Sequence, residues 1–75
     1  MMEKDSAVFI LDRPFADKKT EIYLSVGTCL KDFVPTVVNK PDLAYVVLVN
    51  GRVSDMAYCV KRGDVVLCVP QLAGG

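Results

Sequence analysis

Apolar and polar residues sort this chain into short blocks. Residues 6–11, SAVFIL, form a nearly unbroken apolar run that ends at the turn-rich DRPFADKK. A run of that length between breakers predicts a strand. Residues 20–26, TEIYLSV, alternate, with Ile22, Leu24 and Val26 on one side and Glu21, Tyr23 and Ser25 on the other. That is the period of a half-buried strand. The two runs predict an antiparallel hairpin with a longish polar loop at residues 12–19. The period then changes. In GTCLKDFVPTVV, Leu30, Phe33, Val34 and Val37 fall at i, i+3, i+4 and i+7, one face of a helix. Thr28 is the candidate N-cap. Pro35 conflicts with a helix interior, because it deletes a backbone donor and crowds the preceding turn at a cost of about 3 kcal/mol. Three outcomes stay open: a kinked helix, a helix that ends near Val34, or one that starts late enough to hold Pro35 in its first turn.

A loop at residues 39–42, NKPD, precedes LAYVVLV at residues 43–49, which is apolar at both parities. Asn50-Gly51 follows, the strongest short turn signal, since both residues tolerate positive φ. Residues 53–60 are mixed and predict a short strand or turn. KRGD at 61–64 is a second turn centred on Gly63, and VVLCV at 65–69 is another strand apolar on both faces. The expected fold is α+β, a four- or five-stranded mixed sheet crossed by one helix, over residues 1–69, with a flexible tail at 70–75. One helix covers one face of a sheet. Some of Tyr45, Val47, Val49, Val66 and Cys68, or their opposite-parity neighbours, are therefore expected to stay exposed and meet a partner. The alternative is that irregular segments fold over them.

Composition narrows the function. The 75 residues make one domain at most, and a hydrophobic content of 52% is enough to fold it. Nine basic and nine acidic residues balance to zero net charge. That argues against a nucleic-acid partner, whose phosphates favour a basic patch. No apolar run has membrane-spanning length. The start, MMEKDSAVFILDRPF, lacks the pattern of a signal peptide, so the cytoplasm is the expected location. There is no histidine, the commonest general base and metal ligand. Nothing assembles a nucleophile, a base and an oxyanion site, so no catalytic residue, metal site or bound cofactor is expected. The three cysteines, Cys29, Cys59 and Cys68, include no C-x-x-C pair and suggest neither a disulfide framework nor a zinc site. They are expected as buried reduced thiols, a reactive thiol on Cys59 or Cys68 being the sharper alternative. Asp64 reads as a turn acid that fixes its loop through backbone hydrogen bonds. Arg52, Lys61 and Arg62 read as a solvated rim able to steer an acidic partner surface.

The tail poses the remaining question, because it finishes QLAGG. At an average glycine usage of about 7%, two given positions are both glycine about 0.5% of the time, so chance is a poor explanation. Two glycines make a thin, free backbone that threads a narrow channel. What they deliver is the α-carboxylate of Gly75, ionised above a pKa of about 3.5. A carboxylate is a poor electrophile and needs activation, for instance by adenylylation with ATP and Mg²⁺. That chemistry must belong to another protein.

The segments VVLVNGRV (46–53) and VKRGDVVLCVPQLAGG (60–75) resemble the ubiquitin-like sulfur carriers, namely the small subunit of molybdopterin synthase and the thiamine-pathway sulfur carrier. Asn50-Gly51 matches one family turn and Gly63-Asp64 the other. Pro70, Leu72, Ala73, Gly74 and Gly75 match the tail at the same spacing. The matched motifs cover under half of the chain, and residues 1–45 match in element order alone. Gln71 stands where the molybdopterin subunit commonly has a second proline, which leaves the pathway open. The resemblance implies a β-grasp fold and a carrier that is not itself an enzyme. An adenylating partner similar to ubiquitin-activating enzymes would form an acyl-adenylate at Gly75. A persulfide donor would convert it to a thiocarboxylate. Leu72, Ala73 and Gly74 would then thread the terminus into a sulfur-acceptor synthase. Two alternatives stand beside it: a protein modifier conjugated through Gly75, and a non-catalytic β-grasp interaction module such as a regulatory domain or phage-tail component.

Overall fold

The computed structural model describes residues 6–39 and 42–71. Five strands and one helix follow in order: β1 (Ser6–Leu11), β2 (Thr20–Ser25), α1 (Leu30–Val37), β3 (Tyr45–Val49), β4 (Arg52–Val53) and β5 (Val65–Pro70). The strands form one sheet in the order β2-β1-β5-β3-β4. It is mixed: β1 runs antiparallel to β2 and parallel to β5, while β3 runs antiparallel to β5 and β4. Over the described residues the molecule is a small α+β protein, a five-stranded mixed sheet with one helix.

The predicted hairpin forms, with Val8 opposite Tyr23 and Phe9 opposite Ile22. Its inward side carries Leu24 and Ile22 into the core. Val26 lies beyond the strand end and is half exposed. The connecting loop is less polar in effect than its sequence. The Asp12 carbonyl accepts the N–H groups of Phe15 and Ala16, at 2.8 and 3.2 Å. The turn aims Phe15 inward, where it is buried and meets the Tyr45 ring edge-on at 5.8 Å. The Arg13–Pro14 peptide in this loop is cis.

Helix α1 runs from Leu30 to Val37, with Cys29 and not Thr28 at the N-cap position. The Thr28 hydroxyl instead donates to the Ser25 carbonyl at 2.7 Å, tying the helix entry to the end of β2. Leu30 and Val34 are buried, and Phe33 meets Phe9 edge-on at 5.2 Å. The helix therefore covers the face of β1 that Phe9 presents. Pro35 neither ends α1 nor sits in its first turn; it lies inside, exposed to solvent, and the helix continues to Val37. The bond lost is the one that would return to the Lys31 carbonyl. Three residues further on, the Val38 N–H reaches the Val34 carbonyl at 2.8 Å.

Asn50 and Gly51 have φ of 53° and 86° and close the hairpin whose last pair is Val49 opposite Arg52. Positive φ at both central residues is the geometry that matches strand twist across a two-residue loop. The least exposed large side chains, Phe9, Leu30, Val34, Val47, Val60 and Val66, gather β1, α1, β3, β5 and the end of the 54–60 segment into one core. The regular ladder passes the expected boundary between residues 69 and 70. Pro70 belongs to β5, and the Gln71 N–H donates to the Ala44 carbonyl at 3.0 Å. Leu72, Ala73, Gly74 and Gly75, expected as the working tail, lie outside the described residues.

Candidate functional site

The last strand, β5, occupies the middle of the sheet, paired with β1 on one edge and β3 on the other. It is thus flanked by a paired strand on each side.

Of the two parities left open, the first lies against the core and the second on the outer face. Val47, Val66 and Cys68 were candidates for a partner surface, but they are buried at 2%, 0% and 4% exposure. Tyr45 and Val49 lie half-buried against the same core. The five residues do share one face, since Val47 opposes Cys68, Val49 opposes Val66 and Tyr45 opposes Pro70. It is the face under the helix, which corrects the list. The opposite parity lies on the other side. There Val46 opposes Val69, and Leu48 opposes both Leu67 and Val53. Ile10 opposes Leu67, and Val8 opposes both Val65 and Tyr23. Tyr23, Val53 and Val65 are exposed, and the rest of this apolar face is half-buried. Apolar side chains thus run across this face from Tyr23 on β2 to Val53 on β4.

At one end of the sheet, buried Asp64 joins three segments. Its Oδ2 accepts the Tyr58 hydroxyl at 2.5 Å and the Lys61 N–H at 2.8 Å, and its Oδ1 accepts the Asn50 amide at 2.9 Å. Asn50 in turn accepts the Val65 N–H through its Oδ1 at 3.0 Å. The turn-acid reading of Asp64 thus holds, through the Lys61 N–H, with two side-chain donors that the sequence did not indicate. Burial alone would raise the Asp64 pKa. The hydrogen bonds from Tyr58, the Lys61 backbone and Asn50, with the charge of Lys61, outweigh it and hold the carboxyl below its usual range. Tyr58 moves the other way: its hydrogen bond to the Asp64 carboxylate, then burial, then that negative charge hold the phenol protonated above its usual range. Beside this node lies an open cleft of about 510 Å³, walled by Val49, Arg52, Val53, Asp55 and Tyr58 among others. The rim residues Arg52, Lys61 and Arg62 are exposed.

The cysteines also depart from the expectation. Cys29 and Cys59, expected as reduced thiols, form a disulfide across 30 residues of sequence. An isolated antiparallel bridge brings the two together. Cys68 is a free, buried thiol whose pKa burial pushes up to about 11. It stays protonated and weakly nucleophilic at neutral pH, so neither Cys59 nor Cys68 is a free reactive thiol in this state. Among the described residues no group of three or more Cys, Asp or Glu side chains gathers to hold a metal ion. No helix among them is long and apolar enough to cross a membrane. No protein-family model matches the chain, and neither a curated protein nor a solved structure matches it.

Proposed function

We propose that this protein is a β-grasp sulfur carrier whose working group is the carboxylate of Gly75. One observation carries the reading. The strand that leads into Leu72-Ala73-Gly74-Gly75 is the central strand of the sheet, parallel to β1, and the two turns that flank it in space are the Asn50-Gly51 and Gly63-Asp64 motifs of the resemblance. Asp64 and Asn50 hydrogen-bond to each other, so the motif residues form one structural unit. The apolar face around Leu48, Val65 and Leu67 supplies the surface on which an adenylating enzyme and then an acceptor synthase dock. ATP and Mg²⁺ act in the activating partner. Gly74 and Gly75 enter its active site because they carry no side chain to block it. A cytoplasmic location belongs to the same proposal.

The reading requires a free Gly75 carboxylate, so intact mass of the protein isolated from its native host is the test. A population with one oxygen exchanged for sulfur is the expected result, and a variant with tryptophan appended after Gly75 should lack it. Ladders of higher-mass conjugates would favour the modifier instead. A single unmodified mass, or a chain that continues past Gly75 without processing, would overturn the carrier and leave the interaction module, for which the apolar face alone is sufficient.

A further inference from the structure

Two short segments meet beside the start of α1. The Leu30 N–H donates to the Tyr58 carbonyl and the Val60 N–H to the Thr28 carbonyl, both at 2.9 Å. These bonds frame Cys29 and Cys59 as a non-hydrogen-bonded antiparallel pair, the arrangement in which facing side chains approach most closely. Bonds from Gly27 N–H to Val60 O and from Lys31 N–H to Met56 O, again 2.9 Å each, extend the ladder. Four backbone bonds thus hold the segments together without help from the sulfurs, and they bring the two Cα atoms to 3.8 Å. Both cysteines are half-buried, within reach of a small thiol, whereas Cys68 is not. Each sulfur also lies near a carbonyl of its own segment, Gly27 for Cys29 at 3.8 Å and Ala57 for Cys59 at 3.7 Å. Those carbonyls are ready acceptors for S–H groups once the S–S bond is open.

We propose that Cys29 and Cys59 are a reversible dithiol–disulfide couple, a redox site that clamps residues 54–60 to the entry of α1. A small thiolate such as glutathione attacks one sulfur, the S–S bond breaks and a mixed disulfide forms. A second thiolate then releases glutathione disulfide. The protein gains two electrons and two protons, and glutathione disulfide reverses the exchange. The clamped segment walls the cleft and carries Tyr58, the donor to Asp64. Oxidation therefore fixes that wall, and reduction loosens it while the ladder and the fold persist. In a reducing compartment the thiol form is the resting state and the disulfide a response to oxidant, the usual role of such pairs there. The inference does not depend on the sulfur-carrier reading.

The test equilibrates wild type, Cys68→Ser and a Cys29→Ser/Cys59→Ser variant across glutathione redox buffers. Free thiols are counted by alkylation and mass, and amide exchange is followed in each state. Wild type, with three cysteines, should lose two thiols together in one reversible transition. The Cys68→Ser chain should do the same, and the double variant should show none. Oxidation should slow exchange of the Leu30, Lys31 and Val60 amides by about tenfold, with β1 and β5 unchanged. Thiols that stay free across the series, a transition that involves Cys68, or a disulfide that leaves exchange unaltered would overturn the proposal. Should the double variant fail to fold, dithiothreitol-reduced wild type is the reference, and its unfolding on reduction would equally overturn it.

Discussion

Asp64 is the residue on which most local order depends. It receives three hydrogen bonds from Tyr58, Lys61 and Asn50 in a site exposed only 7%. Removing the carboxylate leaves three donors without their acceptor, and bonds to a charged group contribute about 1.5–3 kcal/mol each before relaxation. Asp64→Ala should lower unfolding free energy by about 3 kcal/mol in denaturant titration at neutral pH. The pH dependence has a definite sign. The folded-state pKa of Asp64 lies below its unfolded value of about 3.9, so in that interval the unfolded chain binds more protons. This share of stability is complete above the interval and is lost as pH falls through it. Tyr58 acts at the other end: its raised pKa means stability falls as pH rises above about 10. The alanine variant should lack the Asp64 share of the acid limb; an unchanged acid limb would show that the node contributes nothing. That Asp64 is a turn acid was legible in KRGD. Its side-chain partners were not: Asn50 meets it through the pairing of β3 with β5, and Tyr58 lies in a stretch with no period.

Short-range signals locate an element where one rule governs and leave it open where two compete. SAVFIL and Asn50-Gly51 each had one governing rule, and β1 and the β3–β4 turn form where they say. Helix α1 had two. Its apolar period calls for continuation through Val37, and Pro35 calls for a stop. The period wins, since Leu30, Val34 and Phe33 are committed to the core while Pro35 faces water. The helix therefore carries an unrelieved cost. Pro35→Ala should restore the bond to Lys31 and raise stability by about 2 kcal/mol, less than the full helix-interior penalty because alanine also frees the unfolded chain. Denaturant midpoints measure this directly; a lower midpoint would mean that the ring makes contacts worth more than the bond.

The whole molecule turns on which face of the sheet is covered. Strands β3 and β5 are apolar on both sides, so their own sequences do not distinguish the faces. The distinction comes from β2, the one alternating strand. Ile22 faces Phe9, Phe9 faces Val66 and Val66 faces Val49, and this chain of register puts Val47, Val66 and Cys68 under the helix. The disulfide was equally hidden, since Cys59 lies in a stretch with no period and meets Cys29 only through tertiary placement. The helix-free face predicts a separation of stability from binding. Val53 is 70% exposed, so Val53→Asp should change folding stability by no more than about 0.5 kcal/mol. On the proposed carrier reading it should nevertheless weaken co-purification of an adenylating partner from the native host. Equal recovery of that partner would move the docking surface elsewhere.

The most direct test of the carrier reading is tandem mass spectrometry of the peptide Gly63–Gly75, released by cleavage after Arg62 from protein of the native host. An oxygen-to-sulfur exchange confined to fragments that contain Gly75 is the predicted result. Sulfur added on Cys68, or a plain carboxylate on every copy, would contradict it.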